Sequence, residues 1–164
     1  MGNHGCARQS IACDARGTGR EQEAGLKSRF VLNHIGMAVP SIERFLVEMG
    51  ALYGGFSRGP LIENARQRVR EMFLTGEGTT IELLEPMGQP SPLDAFLKRH
   101  PQGAFIHAAF EVGELALALA ELEAAGARTV VEPIPDVAFG ERRIAFVLMG
   151  GQIVELIETP KTDK

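Results

Sequence analysis

Two histidines and two glutamates recur at one interval along this chain. His34 and His107 lie 73 residues apart, and the same interval separates Glu82 from Glu155. Taken singly, each has an ordinary structural explanation, as a buried strand histidine or a solvent-facing strand glutamate. The shared interval instead favours one joint site, since imidazole and carboxylate together suit Zn²⁺, Co²⁺, Ni²⁺, Mn²⁺ or Fe²⁺. We therefore expect one divalent metal ion bound by these four residues.

A metal site of this kind could bind and activate a substrate. Four protein ligands leave two positions open in an octahedral arrangement, and a substrate could enter there through two oxygen atoms. The ion would then act as a Lewis acid that polarises a carbonyl and stabilises an enolate.

The elements around these residues also repeat. Hydrophobic periodicity and turn residues predict a βαβββ order twice, in residues 29–88 and 102–160, joined by a linker helix in 89–101. In the first copy, we expect a helix that begins at Ser41 and ends at Gly50, followed by strands at 51–57, 67–75 and 79–85. The prediction is a single α+β domain over residues 29–164, with two tandem modules forming a curved mixed sheet around the metal site.

This duplicated module with its His, Glu, His, Glu set resembles the vicinal oxygen chelate superfamily, which includes glyoxalase I and methylmalonyl-CoA epimerase. The resemblance covers about residues 30–158 and looks closest to the epimerase branch. TTIELLEPMGQPSPLDAFL resembles that branch's ELLEP…SPIAKFL stretch, and FIHAAFEV resembles its GIHHIAFEV. There are also departures, because Ile106 replaces the first histidine of the pair and the family's HPK-containing turn is shortened to Leu148–Gly151.

The resemblance implies a metal-dependent isomerase that acts on an acyl-CoA at the carbon α to the thioester carbonyl, through a metal-stabilised enolate. It implies His34, Glu82, His107 and Glu155 as the metal ligands. It also places Glu71, in VREMF, at the position of an acid/base glutamate of some bacterial epimerases. The second acid/base group could be Glu155 or a bound water.

Other interpretations stay open. Glu71 could equally be a solvated strand-edge residue beside Arg68 and Arg70. Arg142 and Arg143 could hold a substrate carboxylate or phosphate, or could simply form a charged strand edge. For the whole chain, the alternatives are a glyoxalase I-like lyase or another metal-dependent enzyme of the superfamily, such as a ring-cleaving dioxygenase, and a non-catalytic small-molecule binding protein.

Composition narrows the class of protein. A net charge of −4 and a pI of about 5.6 argue against a nucleic-acid partner. No apolar run approaches the roughly 20 residues that would span a membrane, so we expect a cytoplasmic protein. Residues 1–28 hold both cysteines, Cys6 and Cys13, and few large apolar residues, and they predict a disordered tail. Exposed sheet edges predict a homodimer.

Overall fold

A computed structural model describes residues 28–160 of the chain. The first module has seven elements: β1 (Val31–Ala38), α1 (Ile42–Glu48), α2 (Gly50–Tyr53), β2 (Ser57–Arg58), β3 (Ile62–Asn64), β4 (Val69–Gly76) and β5 (Thr79–Pro86). A linker helix, α3 (Asp94–Arg99), follows. The second module comprises β6 (Ala104–Val112), α4 (Leu115–Ala124), β7 (Arg128–Asp136), a 3-10 turn (Val137–Phe139), β8 (Arg142–Met149) and β9 (Gln152–Glu158).

The described strands form one mixed sheet with the two modules side by side. Its strand order is β2-β4-β5-β1-β6-β9-β8-β7, and β3 pairs with β4. At the centre β1 runs antiparallel to β6, while β5 lies parallel to β1 and β9 lies parallel to β6. Equivalent strands of the two modules therefore lie on opposite sides of the β1–β6 seam. The predicted α+β fold of two tandem modules is confirmed.

Each module packs its own helix against its own strands. Under α1 the core comprises Met37, Val39, Ile42, Phe45, Leu74, Ile81 and Leu83. Under α4 it comprises Val112, Leu115, Ala118, Leu119, Leu122, Ala145, Val147 and Leu156. Because side chains alternate along a strand, the residues between these core positions face the other side of the sheet. Glu82, between Ile81 and Leu83, is one of them.

The predicted strand at 51–57 is wrong except at Ser57, where β2 begins, and Gly50 does not end the helix. The chain stays helical through α2, where the amide nitrogen of Tyr53 donates to the carbonyl oxygen of Met49 over 3.0 Å. This helical spacing places the Tyr53 ring 5.4 Å from that of Phe45 and 5.5 Å from that of Phe56. Packing of Tyr53 against the core therefore outweighs the low helix propensity of Gly50.

Two start signals behave differently. Ser41 caps α1 as predicted, since its side chain accepts a hydrogen bond from the Arg44 amide. In the linker, Ser91 followed by Pro92 is also a helix start signal, but the helix begins later, at Asp94, within the predicted range 89–101. Ser91 and Asp94 first close a turn through a 2.8 Å bond from the Ser91 amide to the Asp94 carboxylate.

Part of the sequence prediction falls outside the described residues. The expected disordered tail, with Cys6 and Cys13, lies there except for Ser28, whose amide donates to Glu121 over 2.9 Å. Among residues 28–160, no helix is long and apolar enough to cross a membrane.

Candidate metal centre

All four predicted ligands meet at the centre of the sheet. His34 lies on β1 and His107 on β6, the two strands of the seam, while Glu82 and Glu155 lie on the flanking strands β5 and β9. In the ladders Gly36 is the partner of both His107 and Glu82, and Ala109 is the partner of both His34 and Glu155. The four side chains therefore converge on one face, with 1–8% of each residue exposed.

The spacing of the ligand atoms suits one small cation. The His34 Nε2 atom lies 3.3 Å from Glu82 Oε2 and 3.4 Å from Glu155 Oε2, and His107 Nε2 lies 3.3 Å from both oxygens. The two Nε2 atoms are 3.3 Å apart, and all four atoms lie within 4.8 Å of one another. Metal–ligand bonds of about 2.0–2.2 Å would bring neighbouring ligands to about 3 Å. The residues therefore fit a divalent ion.

The electrostatics of His34, His107 and Glu82 also suit a cation. Burial alone would lower the pKa of His107, but hydrogen bonds and charges from Glu155 and Glu82 outweigh it and raise that pKa to about 10. The pKa of His34 is raised by the same two partners against the same opposing burial. Burial would raise the pKa of Glu82, yet the two histidines lower it to about 2. The surroundings of the histidines thus favour positive charge in this pocket, which a dication could supply.

Several neighbours fix the imidazoles, and the sequence prediction did not name them. Asn33 Oδ1 lies 2.9 Å from His34 Nδ1, which leaves Nε2 free to face the carboxylates. Phe139 stacks on His34 at 5.8 Å, and Phe73 meets the same ring edge-on at 5.6 Å. Phe146 meets His107 edge-on at 5.7 Å. Phe73 and Phe146 repeat at the same interval as the ligands, so this signal was available in the sequence.

Gly36 leaves the space that the His107 ring occupies. A Cβ atom at this position would lie 2.2 Å from His107 Cε1 and 2.3 Å from its Nε2. The ring therefore crosses the backbone where only a glycine allows it.

Glu71, the predicted acid/base residue, is buried beside the cluster rather than solvated at a strand edge. It lies on β4 and pairs with Leu84, while Phe73 on the same face pairs with Glu82. Only 1% of Glu71 is exposed, and its Oε1 atom has no hydrogen-bond partner. Burial, and then the charges of Glu82 and Asp136, raise its pKa to about 9. A carboxyl group in this state can hold a proton at neutral pH.

The arginines considered as substrate ligands are engaged elsewhere. Arg142 donates to Glu111 over 2.9 Å and to the Phe139 carbonyl over 3.1 Å, and its guanidinium lies 5.5 Å from the centre of the Phe139 ring. Arg143 makes two bonds to Glu158, of 2.7 and 2.8 Å. The structure therefore favours the alternative of a charged strand edge.

A cavity of about 200 Å³ opens onto the cluster from one side. Glu82, His107 and Glu155 line its floor, and the walls are mainly apolar, with Leu84, Leu93, Ile106, Val130 and Phe146 among them. Phe139, which stacks on His34, also packs with Ala109, Ile144 and Ile157. This cavity offers a substrate an approach to the site.

Comparison with known proteins matches this geometry to a family. Residues 33–146 match the model of the Glyoxalase/Bleomycin resistance protein/Dioxygenase superfamily. The mitochondrial methylmalonyl-CoA epimerase of Dictyostelium discoideum is 31% identical over 130 residues, which cover 77% of each chain. The ethylmalonyl-CoA/methylmalonyl-CoA epimerase of Cereibacter sphaeroides is 32% identical over 128 residues, 76% of this chain and 95% of that protein.

Solved structures agree with the sequence relatives. The crystal structure of methylmalonyl-CoA epimerase from Mycobacterium tuberculosis aligns with a TM-score of 0.68 and 27% identity, over 80% of this chain and 89% of that one. A variant of the Streptomyces coelicolor methylmalonyl-CoA epimerase in complex with 2-nitronate-propionyl-CoA aligns with a TM-score of 0.68 and 25% identity, over 83% and 99%. The resemblance seen in the sequence is confirmed: the chain belongs to the glyoxalase/bleomycin resistance/dioxygenase superfamily, within its methylmalonyl-CoA epimerase branch.

Proposed function

We propose that this protein is a metal-dependent epimerase that acts at the carbon α to the thioester carbonyl of a malonyl-type acyl-CoA such as methylmalonyl-CoA. The observation that carries the proposal is the buried His₂Glu₂ cluster with the carboxyl group of Glu71 beside it. The epimerases among its relatives, one of them solved with an acyl-CoA analogue, support the same reaction and substrate class.

The metal site in this proposal comprises His34, Glu82, His107 and Glu155, and it takes one divalent ion from the set Co²⁺, Mn²⁺, Ni²⁺, Zn²⁺ and Fe²⁺. When bound, such an ion supplies Lewis acidity that makes the α-proton of a thioester more acidic. The two carboxylates offset the charge of the dication, and the two imidazoles bind it in their neutral form.

Glu71 is the proposed acid/base group on one face of the substrate. Burial favours the protonated form of this carboxyl group, which can exchange a proton with the α-carbon of the substrate. The apolar walls of the cavity keep bulk water from competing for that proton. The equivalent position of the second module is Ile144, which cannot transfer a proton. Glu155 or a bound water therefore stands as the group for the other face.

A second candidate is a glyoxalase I-like lyase that acts on a hemithioacetal. One observation favours it. None of the described residues that line the cavity is a lysine or arginine, so the lining offers no side-chain cation to bind a substrate carboxylate. Turnover of the methylglyoxal hemithioacetal, without α-proton exchange in malonyl-type thioesters, would support the lyase.

The expected location of the protein is the cytoplasm, which fractionation of the native host would check.

The central experiment measures exchange of the α-proton of methylmalonyl-CoA for deuterium by the metal-loaded protein. The Glu71→Gln variant should keep its metal and its fold, yet slow exchange from one epimer by about 10²–10⁴-fold, the usual contribution of a positioned acid/base group. If the loaded wild-type protein exchanges no α-proton of any malonyl-type thioester, the epimerase proposal fails.

The matched control removes two ligands instead of the base. A His34→Ala, His107→Ala double variant should lose the metal ion and exchange neither epimer. One ion per chain is expected for the wild-type protein by elemental analysis. Full metal content in the double variant would show that the ion binds elsewhere.

A further inference from the structure

A buried polar link joins the two modules next to Glu71. Asp136, at the end of β7, and Asn64, at the end of β3, are each 1% exposed. One carboxylate oxygen of Asp136, Oδ2, accepts hydrogen bonds from the amide groups of Asn64, at 2.9 Å, and Gln67. The other, Oδ1, accepts from the backbone N–H of Ala138 at 2.7 Å. Both oxygens of Asp136 therefore act as acceptors towards fixed donors.

The Asn64 amide is oriented from both ends. Its nitrogen faces Asp136, and its oxygen accepts the backbone N–H of Gln67 at 3.1 Å. Asn64 is also a diagonal neighbour of Glu71, because Asn64 pairs with Val69 and Glu71 lies two residues beyond Val69 on the same face of β4. Because an amide nitrogen carries two hydrogens, it can serve two carboxylates at once. The contacts thus run from Asp136 in the second module, through Asn64, to Glu71 in the first.

The segment that carries Asp136 also reaches the metal site. Three residues further on, Phe139 stacks on the His34 ring. The turn of the second module that carries Asp136 and Phe139 therefore lies next to two groups of the site, the imidazole of His34 and the carboxyl group of Glu71.

We propose that Asp136 is a positioning residue for the reaction, which acts through Asn64 to hold the Glu71 carboxyl group beside the metal site. This inference rests on the proposed function of Glu71. It differs from a merely structural role, in which Asp136 would only join the modules, because it ties Asp136 to the catalytic rate through one named residue.

The test substitution is Asp136→Asn, which keeps the shape of the side chain. Asparagine has one oxygen where aspartate has two, so its NH₂ group must face at least one of the N–H donors now bonded to the carboxylate. We expect kcat for α-proton exchange to fall about 10–100-fold, as for other supporting residues around a site, with KM within about twofold and the metal content unchanged.

Arg66→Ala is the matched control. Arg66 joins the same two segments at the surface, through bonds to Glu141 at 2.8 Å and to the Pro135 carbonyl at 3.3 Å, and its described hydrogen bonds and ion pairs do not include Glu71. Its kcat should stay within about twofold of the wild-type value. An equal fall of kcat in both variants would overturn the proposal in favour of a structural role. Should Asp136→Asn fail to fold, Asn64→Ala removes the same link and leaves Asp136 with two donors.

A double variant separates the two roles further. If Asp136 acts through Glu71, adding Asp136→Asn to Glu71→Gln should slow exchange by no further factor, whereas multiplied effects would overturn the proposal. A crystal structure of Asp136→Asn gives a readout that needs no turnover. The Glu71 side chain should move relative to Glu82, and an unmoved side chain would overturn the inference, while absence of exchange in the wild-type protein overturns the proposed function instead.

Discussion

At Gly36, the lack of a side chain decides whether His107 can reach its partners. Replacing this glycine with alanine should weaken metal binding by about 10–100-fold, because the new methyl group would occupy the space of the imidazole ring. The measurement is competition for the ion with a coloured chelator. Gly50→Ala is the control, since a Cβ atom there meets nothing within 4 Å. Equal affinity in the two variants would contradict the role given to Gly36.

Protons and metal ions should compete for the same imidazoles. In the metal-free protein the pKa of His107 is raised to about 10, so this ring is protonated at neutral pH and must lose its proton when an ion binds. The apparent metal affinity should therefore rise as the pH rises from about 6 to 8, by up to about tenfold per unit for each proton displaced. Calorimetry in buffers of different ionisation enthalpy would detect the released protons. A pH-independent affinity would contradict this prediction.

Much of the candidate site could be predicted from the sequence because the module is duplicated. An interval shared by two polar pairs identifies His34, Glu82, His107 and Glu155 without any knowledge of their distances. Asp136 and Asn64 could not be found that way. They occupy matching positions, opposite Val69 on β4 and Arg142 on β8, but their side chains differ and their interval is 72 rather than 73. The repeat therefore did not reveal them, and only the fold brings the end of β7 to the end of β3.

Among the elements, α1 depends most clearly on a single residue at its start. Ser41→Ala removes the hydrogen bond to the Arg44 amide and should lower the free energy of unfolding by about 0.5–2 kcal/mol, with the metal content unchanged. Urea denaturation measures the effect. Ser57→Ala, at an exposed position of β2, serves as the control and should change the stability by no more than about 0.5 kcal/mol. A matching loss in both variants would count against the cap.

The long strands were predictable because apolar residues alternate along them, whereas the short elements were not. β2 and β3 have two and three residues, too few for any period to show. The segment of α2 was mistaken for a strand because Gly50 looked like a helix end. The residue that packs against Tyr53 is Phe45, eight positions earlier, which local sequence patterns do not reveal. Tertiary contact, rather than local preference, decides that segment.

At the scale of the whole molecule, the homodimer remains a prediction. The edge strand β7 carries Pro133 and Pro135, which have no N–H to donate, so a second chain could not simply extend the sheet along all of that edge. We expect a dimer at micromolar concentration, formed through other surfaces. Sedimentation equilibrium should give about twice the 17.7 kDa of one chain, and a mass of 17.7 kDa would contradict the prediction.

The separate cores under α1 and α4 have a consequence for how the chain could be divided. Each half contains the buried apolar residues that pack under its own helix. The β1–β6 ladder and the four metal ligands are formed jointly by the two halves. Two peptides cut within the linker could therefore recombine, and each would bring one histidine and one glutamate. Metal uptake would then report the reunion of two fragments, which makes this protein a natural starting point for a split sensor.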